Sequence, residues 1–159
     1  MEMVKLVLAC ALLPAAASAA GFSLTIGPPV AAGSGSKVVK IKGGVFAVRM
    51  EECDALDTAQ ISGTAEWIVD GQRRSGGVSI SSTGSPGVYV VARVANEDQS
   101  IWVASLSATC GTAKAGALVP MGPQGFVRDG TKVLPRVATK AEIDSALKAL
   151  QQSVEHQPK

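Results

Sequence analysis

Histidine is nearly missing from this chain: His156, in the C-terminal tail, is the only one. A serine or cysteine nucleophile needs a base beside it. Without histidine in the body of the sequence, neither a Ser-His-Asp nor a Cys-His arrangement can be assembled. No G-x-S-x-G occurs either, so a hydrolase working by a catalytic triad is excluded. Aromatic residues are also few: Phe22, Phe46, Trp67, Tyr89, Trp102 and Phe126. They are too sparse for an exposed carbohydrate- or peptide-binding platform. Trp67 and Trp102 each continue an apolar alternation, which favours burial in a core.

Charge of one sign is nowhere concentrated. The 15 basic and 13 acidic residues leave a net of +2. Lys37, Lys40 and Lys42 in one segment and Arg73-Arg74 in another read as solvated strand faces, not as a nucleic-acid footprint. The densest acidic cluster, Glu51-Glu52-Cys53-Asp54 with Asp57, lacks the D-x-[DN]-x-[DN]-G spacing of a calcium loop. It reads as a solvated turn. Gly33-Ser34-Gly35-Ser36-Lys37 lacks the spacing of a phosphate-binding loop.

No apolar run reaches the roughly 20 residues that cross a bilayer as a helix. The run from Leu6 to Ala17 follows Lys5 and precedes Ala17-Ser18-Ala19-Ala20-Gly21, the pattern of a secretory signal peptide. Met3 would serve as a start equally well. Val7-Leu8-Ala9-Cys10 resembles a lipoprotein cleavage site, but too few apolar residues precede Cys10, and cleavage after Ala19 or Ala20 is the better reading. Residues 1–20 then leave with Lys5, Glu2 and Cys10, and the net charge is unchanged. The expected location is exported, periplasmic or extracellular. There Cys53 and Cys110 are the only possible intramolecular pair, and one disulfide is expected. In the chain-entropy model a loop of this size is worth about 4 kcal/mol.

What remains is roughly 140 residues, enough for one domain with a modest core. Residues 21–36 read as a linker-like opening segment, in which Phe22 to Ile26 can pair as an edge strand before Gly27-Pro28-Pro29 stops it. Residues 37–121 are β throughout. KVVKI and GVFAVRM are short β-branched or aromatic runs, and AQISGTAEWIV alternates with Ile61, Ala65, Trp67 and Val69 on one face. Asp70-Gly71 makes a two-residue hairpin turn. Its partner strand runs from Gln72 to Ser82, loosened by Gly76-Gly77. VYVVARV, a turn at Asn96-Glu97-Asp98, and SIWVASLSA with serines on its wet face follow. A last strand covers roughly Ala113 to Val119 and ends at Pro120.

Regularly spaced short strands predict an all-β fold: an antiparallel, immunoglobulin-like β-sandwich of about seven strands. Residues 122–138 read as a loop crossing. A C-terminal helix over 139–155 is predicted from the capping-box spacing of Thr139 and Glu142 and from a one-sided stripe of Ile143, Ala146, Leu147, Leu150 and Val154. Residues 156–159 are a tail. An isolated helix of this length is marginal in water, so the stripe must be covered. Fold-back on the sandwich is favoured. The other reading makes Ile143, Leu147, Leu150 and Val154 a face for an unknown protein partner or for self-association.

Gly87-Val88-Tyr89, a turn, and then Ile101-Trp102-Val103 resemble the late hairpin of exported bacterial immunoglobulin-like modules of the FixH and YtkA type, over residues 44–119. That resemblance implies the fold. It also implies an association with copper handling or respiratory assembly, from which this sequence departs. A soft copper site needs clustered His, Met or Cys ligands, whereas Met50 and Met121 are isolated in sequence and His156 is in the tail. Antibody-type domains offer a second comparison through Cys53, Trp67 and Cys110. Ala108 replaces the tyrosine two residues before Cys110, and Cys53 sits in a polar loop. The disulfide is therefore expected to clip strand ends at one edge of the sandwich.

The expected function is that of a non-catalytic exported protein acting by protein binding, or as a structural accessory of the bacterial envelope. Catalytic residues, metal ligands and cofactors are read as none. A periplasmic copper-handling or respiratory-assembly module ranks second, and a carboxylate-based enzyme third.

Overall fold

The computed structural model describes residues 21–32, 38–40, 43–92 and 101–156. The expected leader, the Gly33–Lys37 stretch and the Asn96-Glu97-Asp98 turn lie outside the described residues. In chain order the strands are β1 (Ser23–Gly27), β2 (Val30–Ala32), β3 (Val38–Lys40), β4 (Gly44–Glu51), β5 (Gln60–Val69), β6 (Gln72–Gly77), β7 (Ser79–Ser82), β8 (Val88–Ala92), β9 (Trp102–Cys110), β10 (Ala113–Gly122), β11 (Gly125–Phe126) and β12 (Lys132–Leu134). One α-helix, α1, spans Lys140–Glu155. No helix among the described residues is long and apolar enough to cross a membrane.

Two antiparallel sheets form a β-sandwich. One has the order β1-β4-β8-β7, and the other β11-β10-β9-β5-β6, with β12 also pairing with β10. Ten strands therefore belong to the two sheets, and seven of them are at least five residues long. The period-two pattern explains the core: Phe46, Val48 and Val91 from one sheet meet Ala65, Trp102, Ala104, Leu106, Ala117 and Val119 from the other. Each fully buried Val, Leu or Phe contributes about 1.5–3 kcal/mol.

The helix adds a third layer on the outer face of the larger sheet. Thr139 caps it through a complete capping box with Glu142. Ala146, Leu147 and Leu150 then bury against Val103 of β9 and Leu118 of β10, with Ile68 and Ile143 at the margin. Fold-back is thus how the stripe is covered.

Several expected boundaries are corrected. The edge strand expected from Phe22 to Ile26 stands as β1, which pairs with β4 in register Leu24↔Met50 as Phe22 and Leu24 bury in the core, but a further strand, β2, follows at Val30–Ala32 where a linker was expected. β3, expected within the sandwich, pairs instead with β2 in a separate two-stranded sheet. β10 does not end at Pro120. The Pro120 carbonyl accepts from the Val127 N–H at 2.8 Å, so this residue turns its hydrogen-bonding side away from β9. The missing proline N–H therefore costs no β9 bond. Nor is 122–138 a plain loop: β11 and β12 both pair with the outer edge of β10. Gly116 permits this, because a Cβ there would collide with the Arg136 carbonyl.

The strand expected to run unbroken from Gln72 to Ser82 changes sheets. β6 pairs with β5, β7 pairs with β8, and Val78 is the residue between them. That crossing positions the site.

Candidate binding site

β5 is ten residues long, but its two neighbours cover it unequally. β9 pairs with Gln60 through Glu66, whereas β6 pairs only with Thr64 through Val69. Among the described residues Gln60–Gly63 therefore has a strand on one side alone. Asp70 and Gly71 both have positive φ, 50° and 73°, as a type I′ turn requires. In such a hairpin Val69 and Gln72 exchange hydrogen bonds, and every second residue does the same. Val69, Trp67 and Ala65 turn their N–H and C=O toward β6, and by the same alternation so do Gly63 and Ile61. The Val78 side chain lies over Gly63, 3.1 Å from where a Cβ would stand. Ile61 faces an open edge.

The core is correspondingly unsealed on this flank. Leu56, Ala59, Ile61, Val78, Ile80 and Tyr89 all pack against it yet stay only half-buried. A cleft of about 400 Å³ wraps the exposed edge. Ile61, Ile80 and Tyr89 line its inner side, and Ser62, Ser107 and Thr109 its outer side, with Gln60, Ala59 and Ser82 at the margin. Among the described residues the lining holds five hydroxyls and one primary amide but no charged side chain. It can exchange hydrogen bonds and bury apolar atoms, and it offers nothing to neutralise a buried charge.

The two expected disulfide cysteines are joined, with their Cα atoms 5.8 Å apart. Cys110 is the last residue of β9, next to the cleft residue Thr109, and Cys53 follows β4. The bond clips strand ends of opposite sheets together and is half-buried. It anchors the 53–59 loop that brings Leu56 and Ala59 to the flank. Further along, the Met50 N–H donates to the Gly87 carbonyl at 2.9 Å, and Thr83 binds the Val88 carbonyl through both its N–H and its hydroxyl. Ser82 and Tyr89 are thereby held at the other wall.

The helix residues singled out as a partner-binding face lie elsewhere. Leu147 and Leu150 are buried under α1, while Ile143 and Val154 are half-buried. In this structure the sandwich itself occupies most of that face. Beneath the helix lies a residue that sequence reasoning passed over. Glu66, on the outer face of β5, is only 5% exposed. Its Oε1 accepts hydroxyl bonds from Thr64 at 2.8 Å and Ser75 at 2.9 Å. Its Oε2 is enclosed, without a hydrogen-bond donor, 3.6 Å from Arg73 Nε. The available signal was the polar row Thr64, Glu66 on the very face that an amphipathic helix would have to cover.

At the helix start, Arg136 binds both Glu142 carboxylate oxygens at 2.8 Å. This ion pair, followed by the bonds from the Thr139 backbone and hydroxyl, lowers the Glu142 pKa from 4.5 to about 2. His156 sits at the other end, its Nδ1 2.7 Å from the Gln152 carbonyl. In the acidic loop Glu52, Asp54 and Asp57 are exposed. Among the described residues no three His, Cys, Asp or Glu side chains converge on a possible metal position.

No family model, curated protein or solved structure matches the chain.

Proposed function

We propose that the chain is a non-catalytic, exported β-sandwich of the bacterial envelope that acts by binding another protein, and that it docks this partner at the open flank of β5. The observation carrying this reading is the half-covered strand. Residues 60–63 of β5 lack the neighbour that residues 64–69 have, and the core beside them is apolar and unsealed. An exposed edge of this kind is a template for pairing with another chain. The leader-like pattern of residues 1–20 and the Cys53–Cys110 bond suit an oxidising, exported setting.

A photo-crosslinking side chain placed at Ser62, Ser82 or the exposed helix residue Lys148 tests this in the native envelope. Adducts at Ser62 and Ser82, without one at Lys148, are the expected result. Adducts only at Lys148 would move the docking site to the helix and overturn the assignment to the flank.

A further inference from the structure

We propose that the occupant of this flank is an extended segment of the partner, which adds as a strand beside Gln60–Gly63. The inference rests on the docking site argued above and names what binds there. Its first support is the backbone. Ile61 turns an N–H and a C=O toward a side where β6 has already left, and unpaired main-chain groups on an exposed edge are a template for another strand. A strand is the one secondary structure that satisfies such an edge along its length.

The second support is dimension. Four uncovered residues at about 3.3 Å each leave room for roughly 13 Å of added strand, bounded at one end by Val78 and at the other by the loop that Cys53 anchors. The third is chemistry. Alternate side chains of an added strand would point to the two sides of the sheet. One set would meet Ile61, Ile80 and Tyr89, and the other would meet Ser62 and solvent. The matching segment is uncharged, with a medium-sized apolar residue at every second position and Ser or Thr between. A charged residue on the inner side would be buried without a counter-charge, since the described lining residues carry none.

The test selects displayed random peptides on the immobilised full-length chain, then follows amide hydrogen exchange with the selected peptide bound. Enrichment of uncharged, alternating sequences is expected, with Ile61 exchange slowed at least about tenfold. N-methylation of the selected peptide's pairing amides should weaken binding by about tenfold or more per lost bond. Ile61→Pro, which removes the outward N–H while leaving the β9 side untouched, should do the same. The exchange measurement on the unaltered chain decides the matter should that variant not fold. Charged or helical consensus sequences, unchanged Ile61 exchange, or no enrichment would each overturn the proposal. So would protection of Ile61 by self-association without peptide. Crosslinks at Ser62 and Ser82 that persist beside any of these results would leave the docking site standing and remove only the strand.

Discussion

Arg73 on β6 donates a 2.9 Å hydrogen bond to Asp144 on α1, across 71 residues of sequence. Among the described residues the same guanidinium is the only cation beside the buried Glu66 carboxylate, at 3.6 Å. Its two partners are unequal, because the Asp144 side chain is 42% exposed and that of Glu66 7%. Arg73→Ala would strand a carboxylate under the helix and should destabilise by about 3–5 kcal/mol. Asp144→Ala removes an exposed ion pair and should cost no more than about 1 kcal/mol. Urea titrations of the two variants compare them directly. Equal losses would mean that Arg73 matters to the helix and not to Glu66.

The two tryptophans should also differ. Trp102 is 5% exposed in the main core, and Trp102→Ala should cost about 3–5 kcal/mol. Trp67 is half-buried, its ring lying against Gly76 of the edge strand β6. Trp67→Ala should cost about 1–2 kcal/mol, in proportion to the smaller area covered. A loss for Trp67→Ala as large as that for Trp102→Ala would show that the flanking edge strand depends on this ring.

That difference shows where the alternation stops being informative. Trp67 and Trp102 occupy the same kind of position in two interior strands, and only the packing tells that Trp102 enters the main core while the Trp67 ring lies over Gly76 of the edge strand. The Thr139–Glu142 box and the Cys53–Cys110 bond were legible, the first because it is local and the second because no other pairing was left. Val78 was not. In Gln72–Ser82 only Gly76-Gly77, next to Val78, hints at a break, and a glycine pair cannot say that the chain changes sheets, because the switch depends on which strands lie alongside. The open flank of β5 follows from that switch, so it was hidden too. Glu66 escaped notice because its cover arrives from a helix far along the chain, and β11 and β12 because such short strands carry no period.

The helix N-terminus should be acid-sensitive over a defined window. The folded-state pKa of Glu142, about 2, lies below the ordinary 4.5. Its contribution is therefore present above about pH 4.5 and lost as pH falls through about 2. Thermal melts of the unaltered chain and Glu142→Gln should be separated near neutral pH and converge toward about pH 2. A constant gap across that range would mean that the carboxylate charge is not what stabilises the cap.

The disulfide should matter to the cleft as well as to the fold. Cys53 and Cys110 are separated by 57 residues, and closing a loop of that length restricts the unfolded chain by about 4 kcal/mol in the entropic model. Replacing both with serine should lower global stability by up to that amount. The native-state effect should be local, because the β5–β6 hairpin and the α1 layer have no covalent dependence on the bond, whereas Thr109 adjoins Cys110 and Ala59 closes the loop that Cys53 begins. Hydrogen exchange in the doubly substituted chain should therefore accelerate at Gln60, Ser62 and Thr109, whose amides lie on the β5–β9 ladder, while Trp67 and Leu118 stay protected. Partner crosslinking at Ser62 should fall in parallel. Uniform acceleration across both sheets would indicate that the bond stabilises only globally. Unchanged exchange at Thr109, with full crosslinking, would show that the cleft keeps its shape without it.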